Sequence, residues 1–209
     1  MRTAQTESYE FRALTAAQIA DTYRIRMTRD FPPEELKPLR RITDALSRGG
    51  YACFGLFDGS ELLAYAFFVI AGREYLLDYF AVEASRRGTG IGSAFLAVLK
   101  QFLSDAEMII VEVEHPDHAA NADDRRMRER RRDFYFRSGC LDTGAEALVF
   151  GTEYRLLELP VSGGAHMQEA VRAAYLRLYK SILPPEMLRR SICLHGTGEE
   201  EHHAPLSDR

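Results

Sequence analysis

Cysteine is scarce: Cys53, Cys140 and Cys193 are all there is. An odd, widely spaced set without a C-x-x-C pair offers neither a disulfide framework nor a zinc site. Long apolar runs are missing too. No stretch approaches the roughly 18 residues a membrane span needs, and the opening MRTAQTESYEF lacks the apolar segment of a secretory signal. A reducing cytosol is the expected compartment. Neither sign of charge dominates: 27 Lys and Arg stand against 31 Asp and Glu, a net charge of −4. That balance removes the electrostatic case for a nucleic-acid or membrane surface. Internal repeats are absent. What is there is a globular composition, 46% hydrophobic and 28% charged over 209 residues, enough for one domain with a real core and an appendage.

Along the chain, Tyr9–Leu14 reads as a first strand. Thr15 stands where a helix N-cap belongs, ahead of Ala16, Ile19, Ala20, Tyr23 and Met27 at helical spacing. Phe31-Pro32-Pro33 interrupts that helix, and a second follows through Leu36, Leu39, Ile42 and Leu46 until Gly49-Gly50. Tyr51–Phe57 and Leu62–Ala71 flank the turn signal Asp58-Gly59-Ser60, and Tyr75–Val82 continues an antiparallel meander. An amphipathic helix then opens near Gly90 or Ile91, followed by the compact strand Met108–Val113. Strand, crossover helix and strand imply a parallel pair. A charged helix runs from about Asp123 to Ser138, and Leu148–Phe150 and Glu153–Leu159 read as the last strands. Past Pro160 and Ser162-Gly163-Gly164, the residues Met167, Val171, Ala174, Tyr175, Leu178 and Ile182 form one more amphipathic helix, stopped by Pro184-Pro185. From His195 the chain is polar and reads as a flexible tail.

Chemistry concentrates in Tyr75–Ser93, YLLDYFAVEASRRGTGIGS. A strand runs into small residues that open a helix. Glycines let the backbone approach a bulky anion, and the unpaired N–H groups of the first turn and the helix dipole favour negative charge. A plainer reading is that Gly88, Gly90 and Gly92 only shape a tight turn. Two other phosphate motifs fail: a P-loop needs Lys and Ser or Thr after its last glycine, and a dinucleotide fingerprint wants Gly or Ala where this chain has Ser93.

Arg87-x-x-Gly90-x-Gly92 does resemble something specific, the coenzyme A pyrophosphate motif of the GNAT superfamily of N-acyltransferases. The preceding Leu77-Asp78-Tyr79-Phe80-Ala81-Val82 is similar to that family's fourth strand. The resemblance implies a cradle of Arg87, Gly88, Thr89, Gly90, Ile91, Gly92 and Ser93, with the backbone of Phe80, Ala81 and Val82 pairing with the pantetheine arm. It implies acetyl-CoA as co-substrate, an amine as acceptor and an oxyanion held by backbone N–H near Val82. Downstream, Phe134-Tyr135-Phe136-Arg137-Ser138-Gly139 resembles the family's Y-x-x-x-G, whose tyrosine lies near the sulfur and serves as general acid. As a packed aromatic, Tyr135 would need no such role. Arg128 and Arg131 stand where family members often carry Asn and Ala, and Cys140 where Phe is usual.

An attacking amine must lose a proton, and a carboxylate can take it. Glu114 is the first candidate, nearest the mouth that the family's fourth and fifth strands open; Glu112, on the same strand face, and Asp78 follow. Each could equally be a solvated or salt-bridged acid. The six arginines within Asp123–Asp133 (DDRRMRERRRD) alternate with acids at helical spacing and read as an ion-paired face. The sharper alternative puts Arg128 or Arg131 on a CoA phosphate or an acidic acceptor. Cys140 reads as a packed thiol. His195, His202 and His203 beside Glu199–Glu201 belong to the tail, with no rigid element to fix a metal.

The expected architecture is a mixed α/β domain over residues 1–160. It has a mostly antiparallel GNAT-like sheet with one parallel pair, a helical extension over 161–194 and a tail over 195–209. The expected activity is transfer of acetyl from acetyl-CoA to a primary amine, on a small molecule or at a peptide terminus or lysine. A non-catalytic acyl-CoA-binding module is the alternative. The last helix could cap the domain, cover the acceptor cleft or build a homodimer.

Overall fold

Asp58 and Glu61 close a tight turn between two long apolar strands, and pairing spreads outward from it. The computed structural model describes residues 9–161 and 163–196. Strand β1 (Glu10–Ala13) pairs antiparallel with β2 (Tyr51–Asp58), β2 with β3 (Glu61–Ala71), and β3 with β4 (Glu74–Val82). β4 lies parallel to β5 (Met108–Glu114), and β5 pairs antiparallel with β7 (Thr152–Glu158). The sheet order is β1-β2-β3-β4-β5-β7-β6-β8, with β6 at Leu141–Val149 and β8 at Ile192–Leu194. This is the mixed, mostly antiparallel sheet with one parallel pair that the pattern implies.

Helices cover both faces. Thr15 caps α1 (Ala16–Asp21) in a full capping box with Gln18; the helix continues through a π-helical turn, Thr22–Met27, into α2 (Thr28–Asp30). α3 is Leu39–Ser47. With α6 (Gln168–Ile182) and α7 (Pro185–Ser191), these lie over one face, where Ile19, Met27, Ile42, Tyr65, Phe67 and Tyr175 share a buried cluster. On the other face, α4 (Ile91–Phe102) and α5 (Ala122–Arg137) enclose Phe54, Phe68, Phe95, Leu96 and Tyr135.

Two local patterns mislead. β6 starts at Leu141, earlier than the expected Leu148, because its register slips between Asp142 and Ala145 and Gly144 turns to φ +71°. That bulge hides the alternation. Phe150, expected in the strand, instead forms the turn with Gly151 at φ +47° and +85°. Pro184-Pro185 ends α6 as expected, but Pro185 also opens α7, since a first-turn proline loses no helical hydrogen bond. The segment expected as a helical extension thus adds a strand, and Val171, Ala174, Tyr175 and Leu178 of α6 are buried in the same cluster as the N-terminal helices. His195 and Gly196 are placed, with His195 Nε2 2.7 Å from Glu153 Oε2. The rest of the expected tail, with His202, His203 and Glu199–Glu201, lies outside the described residues.

The parallel pair is short. β4 and β5 pair only from Glu74–Leu77 to Met108–Val111, although β4 runs on to Val82 and β5 to Glu114. The cause is a bulge: Phe67 pairs with Tyr79 but Phe68 with Leu77, leaving Asp78 as the extra residue. A bulge bends its strand and ends pairing. Past it, β4 and β5 form no ladder and the sheet opens.

Candidate active site

The opening exposes an edge of β4. The amide of Glu83 donates to Leu63 O on β3 at 2.8 Å. Because successive groups along a strand point to opposite sides, the Val82 N–H points to the open side. Phe80 and Val82 pack with α4 and α5, whereas Ala81 and Tyr79 join the opposite cluster.

Beyond Val82 the chain makes a 3₁₀ turn, Ala84–Arg86, and a glycine loop before α4. Gly88 and Gly90 stand at φ +77° and +90°, where side chains are strained. Gly90 is the N-cap and supplies no side-chain acceptor. The first amide closed by the helix is that of Ala94, on Gly90 O at 3.0 Å. Among the described residues, the amides of Gly88, Thr89, Gly90, Ile91, Gly92 and Ser93 therefore donate to nothing, and the positive end of the helix dipole lies with them. Arg87 folds over the loop, its Nε 3.1 Å from Val82 O and its Nη2 3.3 Å from Asp30 Oδ1. Free amides, left-handed glycines and a cation make a cradle that fits a pyrophosphate.

The downstream tyrosine meets this cradle. α5 ends against α4: Ser138 Oγ lies 2.8 Å from Ser93 Oγ, and the Phe134 ring abuts Gly92. Tyr135 stands beside Phe80, with ring centroids 6.3 Å apart. Its hydroxyl makes no hydrogen bond among the described residues, and burial pushes its pKa well up. It stays a phenol, able to donate.

The three acids part company. Glu114 is held by Arg131 and, at 3.6 Å, by Arg128. Asp78 is almost fully buried, bound by Lys37 Nζ at 2.5 Å and by the Tyr51 hydroxyl. Glu112 receives the hydroxyls of Tyr175 and, at 2.6 Å, Tyr179, both on Oε1; Oε2 takes no hydrogen bond among the described residues. Burial raises the Glu112 carboxyl above the usual carboxylate range, and the tyrosine hydrogen bonds pull the other way. Glu112 and Asp78 line a cavity of about 600 Å³ between α3 and the α6–α7 corner. Glu35, on its rim, is raised by desolvation and then by the charge of Glu114. Cradle and cavity thus lie on opposite faces of the sheet, and the cavity acids Asp78 and Glu112 directly follow Leu77 and Val111, where the pairing of β4 with β5 ends.

The model of the acetyltransferase (GNAT) family matches residues 18–126. The chain belongs to the GNAT acetyltransferase family. No curated protein matches the sequence. A solved structure from Bacteroides thetaiotaomicron, assigned to the same family, is 22% identical with a TM-score of 0.62, over 82% of this chain and 96% of that one. The ribosomal-protein-S18-alanine N-acetyltransferase of Escherichia coli is 20% identical with a TM-score of 0.54, covering 76% and 97%. An aminoglycoside 6′-N-acetyltransferase solved with coenzyme A is 14% identical with a TM-score of 0.53, covering 75% and 99%. These likenesses establish the GNAT fold.

Other residues of this GNAT chain fall into plainer roles. In the arginine run of α5, Arg125 pairs with Asp117 and Glu129, Arg126 with Asp123, and Arg128 with Asp124. The ion-paired face is what the structure contains. Cys140 is a buried thiol pushed up to about 12, no nucleophile at neutral pH. Among the described residues, no helix is long and apolar enough to cross a membrane. Sequence reasoning does not find Lys37, Tyr51, Tyr175 or Tyr179 as site residues. A signal existed for the last pair: tyrosines four apart on an apolar helical stripe are buried together, and buried hydroxyls need partners.

Proposed function

We propose that this GNAT protein moves an acetyl group from acetyl-CoA to a primary amine by direct attack. The reading is supported by the parting of β4 and β5 after Leu77 and Val111, with an anion cradle on one face of the sheet and an acid-floored cavity on the other. The free amides of Gly88–Ser93 bind the pyrophosphate beside the Arg87 side chain, and the free edge of Phe80, Ala81 and Val82 pairs with the pantetheine arm. Val82 N–H faces the developing oxyanion.

Among the acids, Glu112 takes the role of general base ahead of Glu114 and Asp78, because it alone lines the cavity with an oxygen free of hydrogen bonds and no cation bound to it. The ammonium of the acceptor gives its proton to Glu112, which passes it to solvent. The nitrogen lone pair forms the C–N bond and the C–S bond breaks. Tyr135 donates its proton to the leaving sulfur and recovers one from the new amide nitrogen, so atoms and charge balance. The three free cysteines suit a cytosolic enzyme.

Initial rates with wild type and Tyr135→Phe test the assignment, with the acetylated product identified by mass. A fall in kcat of about a hundredfold at unchanged acetyl-CoA affinity is expected. Equal rates would remove Tyr135 from the chemistry, and cofactor binding without turnover of any amine would mark an acyl-CoA-binding module instead.

A further inference from the structure

The described C-terminal segment lies beyond the matched family region, which ends at residue 126, yet it builds one wall of the cavity. Tyr179 and Leu183 come from α6 and its end, and Met187 from α7. The segment is anchored as a wall should be. Phe150 N donates to Ser191 O at 2.8 Å, β8 pairs with β6, and the Arg172 guanidinium donates to His195 O. The facing wall presents Phe31 with Ile42 of α3, and Tyr154 closes the β7 side. Glu34, Glu35, Arg41, Asp44 and Arg48 also line the cavity. Beneath the apolar side chains the floor carries two acids. Asp78 is satisfied by Lys37 and Tyr51. Glu112 has hydroxyl donors on one oxygen and no cation within ion-pair distance among the described residues.

We propose that this cavity admits a small primary amine with an apolar, ring-sized body, and that the α6 tyrosines position Glu112 to meet its ammonium. This rests on the acetyltransferase reading above. A buried carboxylate with one oxygen fixed and the other free is completed by a cation, and an ammonium is the cation the reaction needs. Phe31, Ile42, Leu183 and Met187 give the rest of the acceptor apolar surface to cover. Holding Oε1 with two hydroxyls steadies the carboxylate and leaves Oε2, which has no hydrogen bond among the described residues, for the ammonium. Tyr175 and Tyr179 brace each other, their rings 4.9 Å apart. They are positioning residues.

The pH response separates positioning from mere packing. Facing Glu112 are Tyr175 and Tyr179 from α6, Asp78 from β4, Tyr154 from β7 and Lys37 from the loop before α3. Of these, the tyrosine hydrogen bonds and Lys37 favour the carboxylate, and Asp78 opposes it. Replacing both hydroxyls by hydrogen removes the stabilising bonds while keeping the ring volume, so Glu112 titrates at higher pH.

The test uses the full chain, first shown by calorimetry to bind acetyl-CoA. Thiol release is followed with 2-phenylethylamine, hexylamine, ethanolamine, spermidine and a hexapeptide with a free N-terminus. The prediction is a kcat/KM for 2-phenylethylamine at least about tenfold above ethanolamine and spermidine. In Tyr175→Phe/Tyr179→Phe, the acid limb of its kcat/KM profile should move up by about one pH unit at unchanged acetyl-CoA affinity. If the double variant does not fold, Tyr179→Phe alone should move the limb the same way by a smaller step. Preference for the peptide, ethanolamine or spermidine overturns the acceptor class. An unmoved limb in a folded variant overturns the role of α6. Failure to bind acetyl-CoA, or binding without turnover of any amine, overturns the underlying reading as well.

Discussion

A methyl group at position 92 would lie 3.0 Å from the Phe134 ring and 3.3 Å from a methyl of Val82. Gly92 is therefore a packing glycine, unlike Gly88 and Gly90, which face open space and are glycine for their positive φ. Gly92→Ala should push α4 from α5, costing about 1–3 kcal/mol of stability in a denaturant titration and weakening acetyl-CoA binding through the shifted amides. An unchanged midpoint would mean the rings yield freely. The sequence carries this cradle openly, because each glycine has a backbone reason at a fixed spacing. It carries Tyr135 nearly as well. It does not carry the bonds from Tyr175 and Tyr179 to Glu112, since residues 63 and 67 positions away meet only once the sheet and α6 have packed.

The bulge in β4 is the element on which the site turns. Without the extra residue, β4 would run on alongside β5 and no opening would form. That extra residue is Asp78, and its buried carboxylate needs Lys37. Lys37→Met should leave an uncompensated buried charge and cost about 2–3 kcal/mol, below the usual loss for a broken buried pair because Lys37 is partly exposed and Tyr51 remains. Thermal unfolding would show it, and Lys37→Met/Asp78→Asn should recover part of the loss; a single variant as stable as wild type would count against the pair. The alternating strands β2 to β4 and the amphipathic α4 are legible because one buried face imposes its period on the chain. β6 is harder to read because Gly144 and its bulge interrupt that period, and α7 because a proline pair signals a stop and a start alike.

Across the whole molecule, the sheet separates the two halves of the proposed site. One face carries the cradle, with α4 and α5, inside the chain's most recognisable pattern or just after it. The other carries the cavity, walled in part by a segment that the sequence presents as an extension. Because α6 buries Val171, Ala174, Tyr175 and Leu178 completely, a chain ending at Leu159 should lose its cooperative thermal transition and aggregate. A truncated chain that unfolds cooperatively as a monomer would show that α6 is dispensable to the core. The central claim is that the loop from Arg87 to Ser93 binds acetyl-CoA, and calorimetric titration of the full chain tests it most directly. Saturable binding of acetyl-CoA, none of NAD or ATP, and affinity at least about a hundredfold weaker in folded Gly90→Glu are predicted, because the substitution sets a side chain and a negative charge in the cradle. Folded wild-type protein that binds neither acetyl-CoA nor free coenzyme A would contradict it.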